Sequence, residues 1–429
     1  MNFYIHTLGC KVNKYESQVM TDKLIGAGFE LTLNSNEADI TIVNSCTVTS
    51  VSDSKALKLM RKIKRENEKT ILILTGCLPQ AFPNEREKFS VADIVIGNKC
   101  RADLLPSIEQ YKLLKEKIYK IEPHKNDLTF EKMSVHSFSE RTRAFVKIED
   151  GCNRFCSFCI IPFARGRVRS KSLEDLKEEL ELLANKGYKE VVLVGINLSA
   201  YGQEFNKNLA DAIETACEVD GIERVRLGSL EPERMDIEML KRLSKQEKLC
   251  PQFHLSLQSG CDQTLKRMNR HYNSDEYMEI VDNIRHVFKN PTITTDVMVG
   301  FPAETEEEFN NSYEFVKKVG FAQAHVFAYS RRAGTVADKA QNQIDSKIKD
   351  IRSKEMIKLT KNLSADFLLS QIGQVHQVLF ETNKNVGYYE GYSKNYTHMV
   401  VKNDENLCGQ IKNVIVTDIQ DNKCVCQIL

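Results

Sequence analysis

Two blocks of the sequence alternate short apolar runs with amphipathic stretches, and this alternation constrains the fold more than any other feature. In the first block the apolar runs are "FYIHTLG", "ADITIVNS", "TILILTG" and "ADIVIG". Helical patterns lie between them, in "NKYESQVMTDKLIGAGF", ended by Gly28, and "SDSKALKLMRKIKREN". Strands that alternate with helices pair in parallel, because each helix carries the chain back to the edge it left. The second block holds six such runs: "RAFVKIE", "EVVLVGI", "IERVRLG", "QFHLSLQ", "TITTDVMVG" and "FAQAHVFAY". One helix between them is predicted over "SLEDLKEELELLANKG". Ser172 and Asp175 cap its start, Leu173, Leu176, Leu180 and Leu183 form its apolar stripe, and Gly187 stops it.

The fold class is therefore α/β: an open parallel sheet first, then an open barrel of six β/α units. A different pattern closes the chain. "QVHQVLFET", "VGYYEGYSKN", "THMVVKN", "GQIKNVIVTDIQ" and "KCVCQIL" read as short strands with polar turns, which predicts a small β-barrel. The expected domains are residues 1–112, 138–370 and 371–429. Residues 113–137, polar and lysine-rich around Pro123, are expected to form a linker.

The chain has 429 residues, 41% hydrophobic and 28% charged, a profile of water-soluble domains. No run reaches the roughly 18 apolar residues of a membrane span, and the start has no basic segment followed by an apolar one. The expectation is a cytoplasmic protein without membrane contact, where thiols stay reduced. Thirteen cysteines are then many. A single one is an ordinary small buried side chain; grouped ones point to metal or catalysis.

Two groups stand out. Cys10, Cys46 and Cys77 each follow an apolar strand of the first block. In an open parallel sheet, sites form at the carboxyl ends of strands, so these three would meet on one edge. Cys100 follows the next strand and is a rival for that set. The second group is local: Cys152, Cys156 and Cys159 in "EDGCNRFCSFCIIPFARGR", just after the first strand of the barrel. A closed zinc site wants four ligands. Three thiolates on a four-iron, four-sulfur cluster leave one iron open to chemistry. Asn197, Gln258, Asp296 and Gly300 occupy matching strand-end positions.

The net charge of +1 excludes a polyanion gripped by the whole surface. Locally, residues 141–171 hold eight Lys or Arg against two acids, Glu149 and Asp150. Arg165, Arg167 and Arg169 are the candidates for phosphate contact. The last domain is poorly suited to RNA by charge, with five lysines, no arginine and six acids.

"CNRFCSFC", with Phe158 before the last cysteine, resembles the CxxxCxxC signature of the radical S-adenosylmethionine enzymes. "TLGCKVNKYES", "VNSCTVT", "LTGC", "LSLQSGCD" and "DVMVGFPAET" extend that resemblance to the methylthiotransferases along nearly the whole chain. The resemblance implies two [4Fe–4S] clusters, one on Cys10, Cys46 and Cys77 and one on Cys152, Cys156 and Cys159, with Cys100 outside both sets. It implies S-adenosylmethionine as methyl donor and radical source, contacted by Phe158, Asn197, Gln258 and Asp296. "GINLSAYG" departs from the commoner "GQNV" form beside Asn197. The terminal barrel corresponds to the family's TRAM domain.

Partners implied are a tRNA anticodon stem-loop and a small flavodoxin-like or ferredoxin-like electron donor, with the sulfur donor left open. "GCKVN" with "YES" is most similar to the branch acting on N6-threonylcarbamoyladenosine. The isopentenyladenosine branch reads closer to "YGCQMN" and "DSE", the ribosomal-protein branch closer to "GCPKN". Methylthiolation of those two substrates is the alternative within the family. Outside it stand a non-enzymatic iron–sulfur RNA-binding protein and a zinc-dependent scaffold.

Overall fold

The parallel alternation of the first block becomes one six-stranded sheet. Its order is Glu30–Leu31, Asn2–Thr7, Ile40–Ser45, Ile71–Gly76, Ile94–Ile96 and Ile118–Lys120, all parallel. This is a computed structural model, and it describes residues 1–124, 129–135, 142–385 and 387–429. The expected boundary at 137/138 and the start of the basic run at Arg141 lie outside the described residues. The sheet runs further than the sequence reading placed it. Residues 118–120 were assigned to the linker, but Ile118 is buried and pairs with Ile94. Met133 and Val135, also in that stretch, are buried in the central core.

The central domain carries the six expected strands, Arg143–Lys147, Glu190–Val194, Arg224–Leu227, Gln252–Leu255, Thr292–Val299 and Gln323–Ala328, in parallel. The third bends at Gly228 into Ser229–Leu230, which pairs with the fourth. Among the described residues the first and last strands are not paired, so the barrel is open. The helix Lys11–Gly26 of the first domain packs beside the first strand. Its Val12, Tyr15 and Val19 belong to the same buried cluster as Ala144 and Val146. Each such side chain contributes about 1.5–3 kcal/mol on burial, so the two domains share one core. The predicted helix spans Leu173–Asn185; Ser172 accepts from the Asp175 N–H, and Leu176, Leu180 and Leu183 are fully buried.

The C-terminal strands Val375–Asn385, Tyr388–Ser393, His398–Lys402, Ile411–Gln420 and Lys423–Ile428 close into a barrel. Cys424 and Cys426 both point into its core, as alternation in a strand requires. Buried Arg224 and Arg226 of the third central strand hold it in place. They donate to the carbonyls of Gln377, Tyr392, Ser393 and Lys394 at 2.8–3.1 Å. No helix among the described residues is long and apolar enough to cross a membrane.

Candidate active site

The radical motif is a loop tied at its base. Glu149–Asp150 pairs antiparallel with Arg169–Ser170, and the Cys152 N–H donates to the Gly166 carbonyl at 3.0 Å. Gly151 has φ +89°, and a Cβ there would lie 2.0 Å from the Arg167 carbonyl oxygen, so only glycine fits. Ser157 fastens the loop across the barrel mouth: its N–H donates to Met268 O (3.0 Å) and its hydroxyl to Arg267 O (2.7 Å). Two of the sulfurs accept hydrogen bonds. Cys152 Sγ is 3.7 Å from Asn197 Nδ2 and 3.5 Å from the Arg154 N–H. Cys156 Sγ is 3.4 Å from Arg270 Nη1, whose guanidinium is held by Glu231 at 2.5 Å. Burial pushes the Cys152 thiol up to about 12 and raises Cys159 as well. Thiols so placed become thiolates only when a cation compensates them, which suits iron.

Asn197 and Gln258 are both buried, and among the described residues Asn197 Oδ1 and Gln258 Oε1 have no partner. Buried polar atoms without partners are rare and await a ligand or water. Asn197 is oriented by its own N–H, which donates 2.7 Å to Glu149 Oε2. Gln258 sits at φ +66° beside the fifth strand, its N–H on the Asp296 carbonyl at 2.9 Å. Asp296 Oδ2 lies 3.2 Å from His254 Nε2. Phe158 packs with Met298, Phe301 and Tyr329 on the same rim. A polar ligand with an apolar ring face therefore has groups to meet here.

Cys10, Cys46 and Cys77 come together as their strand-end positions require. Their three strands are neighbours in the sheet, with Thr7 opposite Asn44 and Ser45 opposite Gly76. A Cβ on Gly9 would lie 2.7 Å from Cys46 Cβ. Burial, then the charges of Cys77 and Cys10, lifts the Cys46 thiol to about 12. Asn13 organises the set. Its Nδ2 donates to Ser45 O at 3.0 Å, and its Oδ1 accepts from Cys10 Sγ at 3.3 Å. The three thiols lie within each other's field and near arginine, donors of the type an iron–sulfur cluster takes, although among the described residues no three cysteine, histidine or acidic side chains are drawn together as a ready metal site. Cys100 is buried in the apolar core of the first sheet, outside this set.

Of the three arginines expected at phosphates, Arg165 is a correction. It is fully buried, because two carboxylates and a sulfur capture it. Its Nε donates to Cys77 Sγ at 3.2 Å, and its Nη2 to Glu16 Oε2 at 3.0 Å. Glu16 also accepts from Arg101 (2.8 Å) and Lys147 (2.9 Å), and Asp150 from Lys147 (2.7 Å) and Arg169 (3.3 Å). With Glu131 on Arg101, three carboxylates face four cations, and the surplus charge sits against Cys77. Arg169 is mostly buried, its guanidinium on the carbonyls of Arg165 and Arg167. Only Arg167 is outward, 4.6 Å over the Phe155 ring.

A cavity of about 1150 Å³ lies where the three domains meet. Cys10 and Lys11 line it from the first domain, Gly195, His254 and Asp296 from the barrel, and Tyr396 from the last domain. It is large enough for a nucleoside. Burial, then Arg226 and Arg143 nearby, lowers the Lys11 ammonium to about 8.

Comparison with known proteins agrees with this geometry. The description "Radical SAM superfamily" matches residues 146–316, and "Uncharacterized protein family UPF0004" matches residues 2–97. The Threonylcarbamoyladenosine tRNA methylthiotransferase MtaB of Bacillus subtilis is 35% identical over 95% of this chain and 92% of its own. That of Thermotoga maritima is 38% identical over 97% and 94%. The chain belongs to the radical S-adenosylmethionine methylthiotransferases. It is an enzyme, and its cofactors are S-adenosylmethionine and [4Fe–4S] clusters. A tRNA-2-methylthio-N(6)-dimethylallyladenosine synthase of Clostridium botulinum is 34% identical over 89% and 87%. The solved structure of the radical S-adenosylmethionine methyltransferase TsrM from Kitasatospora setae matches with a TM-score of 0.59 and 14% identity, over 79% of this chain and 76% of that one. That likeness shows the fold alone.

Proposed function

We propose that this methylthiotransferase converts N6-threonylcarbamoyladenosine, next to the anticodon in tRNA, to its 2-methylthio form. The observation that carries the reading is the nucleoside-sized cavity where the three domains meet, with Cys10 on its wall and Arg165, from the loop after the radical motif, donating to Cys77 of the same strand-end set. The names of the relatives from Bacillus subtilis and Thermotoga maritima support the choice of adenosine.

Cys152, Cys156 and Cys159 would hold one cluster and Cys10, Cys46 and Cys77 the other. When bound, the clusters and S-adenosylmethionine supply a carbon-centred radical and a methylated sulfur. The chain's own residues bind and orient. Asn197 Oδ1 and Gln258 Oε1, buried and unpartnered, would accept from the amino and ribose groups of S-adenosylmethionine. Phe158 offers its ring to the adenine. Asp296, tied to His254, faces the cavity and holds the rim of the substrate side. Arg167 beside Phe155 is the exposed cation next to the motif and would meet RNA phosphate; Arg169 lies mostly behind it. The electron donor is expected to be a small flavodoxin-like or ferredoxin-like protein.

Nucleoside analysis of tRNA from cells with and without this protein tests the reading. The 2-methylthio derivative of threonylcarbamoyladenosine should vanish without it. Its persistence, with loss of another methylthiolated nucleoside instead, would replace the substrate.

A further inference from the structure

Lys11 is a cation enclosed by the protein yet accessible from the central cavity whose wall it lines, immediately after Cys10. Among the described residues it has no acidic partner. Of its cationic neighbours, Arg226 and Arg143 are already neutralised. Arg226 Nε is 2.9 Å from Glu190 Oε1, and Arg143 reaches Glu381 at 2.5 Å and Glu190 at 3.5 Å. Among the described residues the only carboxylate on the cavity wall is Asp296, and His254 takes it. The other lysine there, Lys361, lies on the helix Ser346–Leu369, on the stretch that also carries Ser364 and Leu368 to the wall, next to the last domain. One end of the cavity thus offers an ammonium without a carboxylate partner, beside a sulfur-bearing site. Such a pocket favours an anionic ligand group, and an unpaired cation facing a cavity is stabilised by one.

We infer that Lys11 binds the threonyl carboxylate of the substrate and is the residue that makes the enzyme read an acid on the N6 substituent. The inference rests on the substrate proposed above. Its chemistry fits the position. Carbon 2 and the N6 group lie on the same edge of adenine, separated by N1. A residue next to a ligand of the site that delivers sulfur to carbon 2 is therefore beside the N6 substituent. A carboxylate there meets the Lys11 ammonium; an uncharged substituent leaves that ammonium desolvated and unpaired, which is the strongest form of rejection a pocket has.

The test uses holoenzyme with both clusters and anticodon stem-loop RNAs carrying threonylcarbamoyladenosine or its methyl ester. Methylthiolated nucleoside is read by mass spectrometry, and RNA affinity by fluorescence anisotropy. The native enzyme should prefer the acid over the ester by roughly 10- to 100-fold in kcat/KM, the range of one charge-assisted hydrogen bond. In Lys11→Gln that ratio should fall to about one, with the matching loss in affinity for the acid. Lys11→Arg should restore part of it, and Lys361→Gln should keep the native ratio. If a folded Lys11→Gln enzyme with full iron content keeps the native ratio, Lys11 does not read the carboxylate. Equal use of acid and ester by the native enzyme overturns the inference and leaves the proposed function standing. Turnover of neither RNA by an enzyme that cleaves S-adenosylmethionine overturns the proposed function itself.

Discussion

Arg165 Nε lies 3.2 Å from Cys77 Sγ, although the two residues belong to different domains and different cysteine sites. The same guanidinium is fixed by Glu16 and by Asn13 Oδ1 at 3.2 Å. Asn98 adds a second bridge, from Cys77 Sγ (3.7 Å) to the Ala164 carbonyl (3.1 Å). The loop that follows the radical motif is thus hydrogen-bonded to the neighbouring site. Lysine is a point charge and cannot make the three-way contact. Reconstituted native protein should hold about eight irons per chain. Arg165→Lys should retain fewer, the loss falling on the Cys10–Cys46–Cys77 site. Full iron in that variant, with an unchanged visible spectrum, would show that Cys77 does not need this donor.

Glu16 is the anchor of the same network, and its titration should be visible in stability. Burial by itself raises its carboxyl, but Arg101, Arg165 and Lys147 together bring it down to about 2. An unfolded glutamate titrates near about 4.3. A carboxyl lower in the folded than in the unfolded state contributes stability that is complete above the unfolded value and is lost as pH falls toward the folded one. Urea midpoints should therefore drop between about pH 4.5 and 2 more steeply for native protein than for Glu16→Gln. At pH 7 the substitution should cost about 3–5 kcal/mol, because it leaves buried cations short of a partner. A cost below about 1 kcal/mol, the range of an exposed pair, would contradict the buried network.

The two proposed cluster sites should divide the labour. Cys156→Ala removes a thiol from the site that Asn197 flanks, so formation of 5′-deoxyadenosine from S-adenosylmethionine should stop. Cys46→Ala leaves that site intact; some cleavage should continue while no methylthiolated product forms. Replacing Cys10, Cys46 and Cys77 together by Ala should bring iron from about eight to about four per chain. If Cys46→Ala abolishes cleavage while the other cluster is present, the division is wrong.

Among the described residues, Asn197 Oδ1 and Gln258 Oε1 are buried and lack partners. Beyond the contact of Asn197 Nδ2 with Cys152 Sγ at 3.7 Å, their removal breaks little in the fold. Binding should suffer instead. Equilibrium dialysis of S-adenosylmethionine should give a Kd raised about tenfold in Asn197→Ala and in Gln258→Ala, the effect of one lost hydrogen bond. Unchanged Kd values in both would remove these residues from the cofactor site.

Much of this was legible in the sequence, and the part that was not has a common cause. Period-two strands and capped helices are local signals, so the six central strands and the helix Leu173–Asn185 could be read directly. Cys10, Cys46 and Cys77 could be grouped because parallel topology puts successive strand ends on one edge. The fate of Arg165 could not. Its exposure depends on Glu16 and Asp150, and Glu16 stands far off in sequence on another domain. A basic run reads as a surface until the acids that bury it are known; Glu149 and Asp150 inside the run were the available hint. Ile118–Lys120 was hidden in a lysine-rich stretch too short to show periodicity. Arg270 on Cys156 and Asn13 between Cys10 and Arg165 carry no sequence signature at all.

Whether the two cysteine sites act together on one carboxylate-bearing adenosine is decided by turnover of purified holoenzyme on three tRNAs. These carry threonylcarbamoyladenosine, isopentenyladenosine or plain adenosine next to the anticodon, and nucleosides are read by mass spectrometry. Methylthiolation of the first, with little or none of the other two, is the expected result. Equal methylthiolation of the isopentenyl tRNA would contradict the substrate, and no methylthiolation of any of the three by an enzyme that cleaves S-adenosylmethionine would contradict the assignment to tRNA.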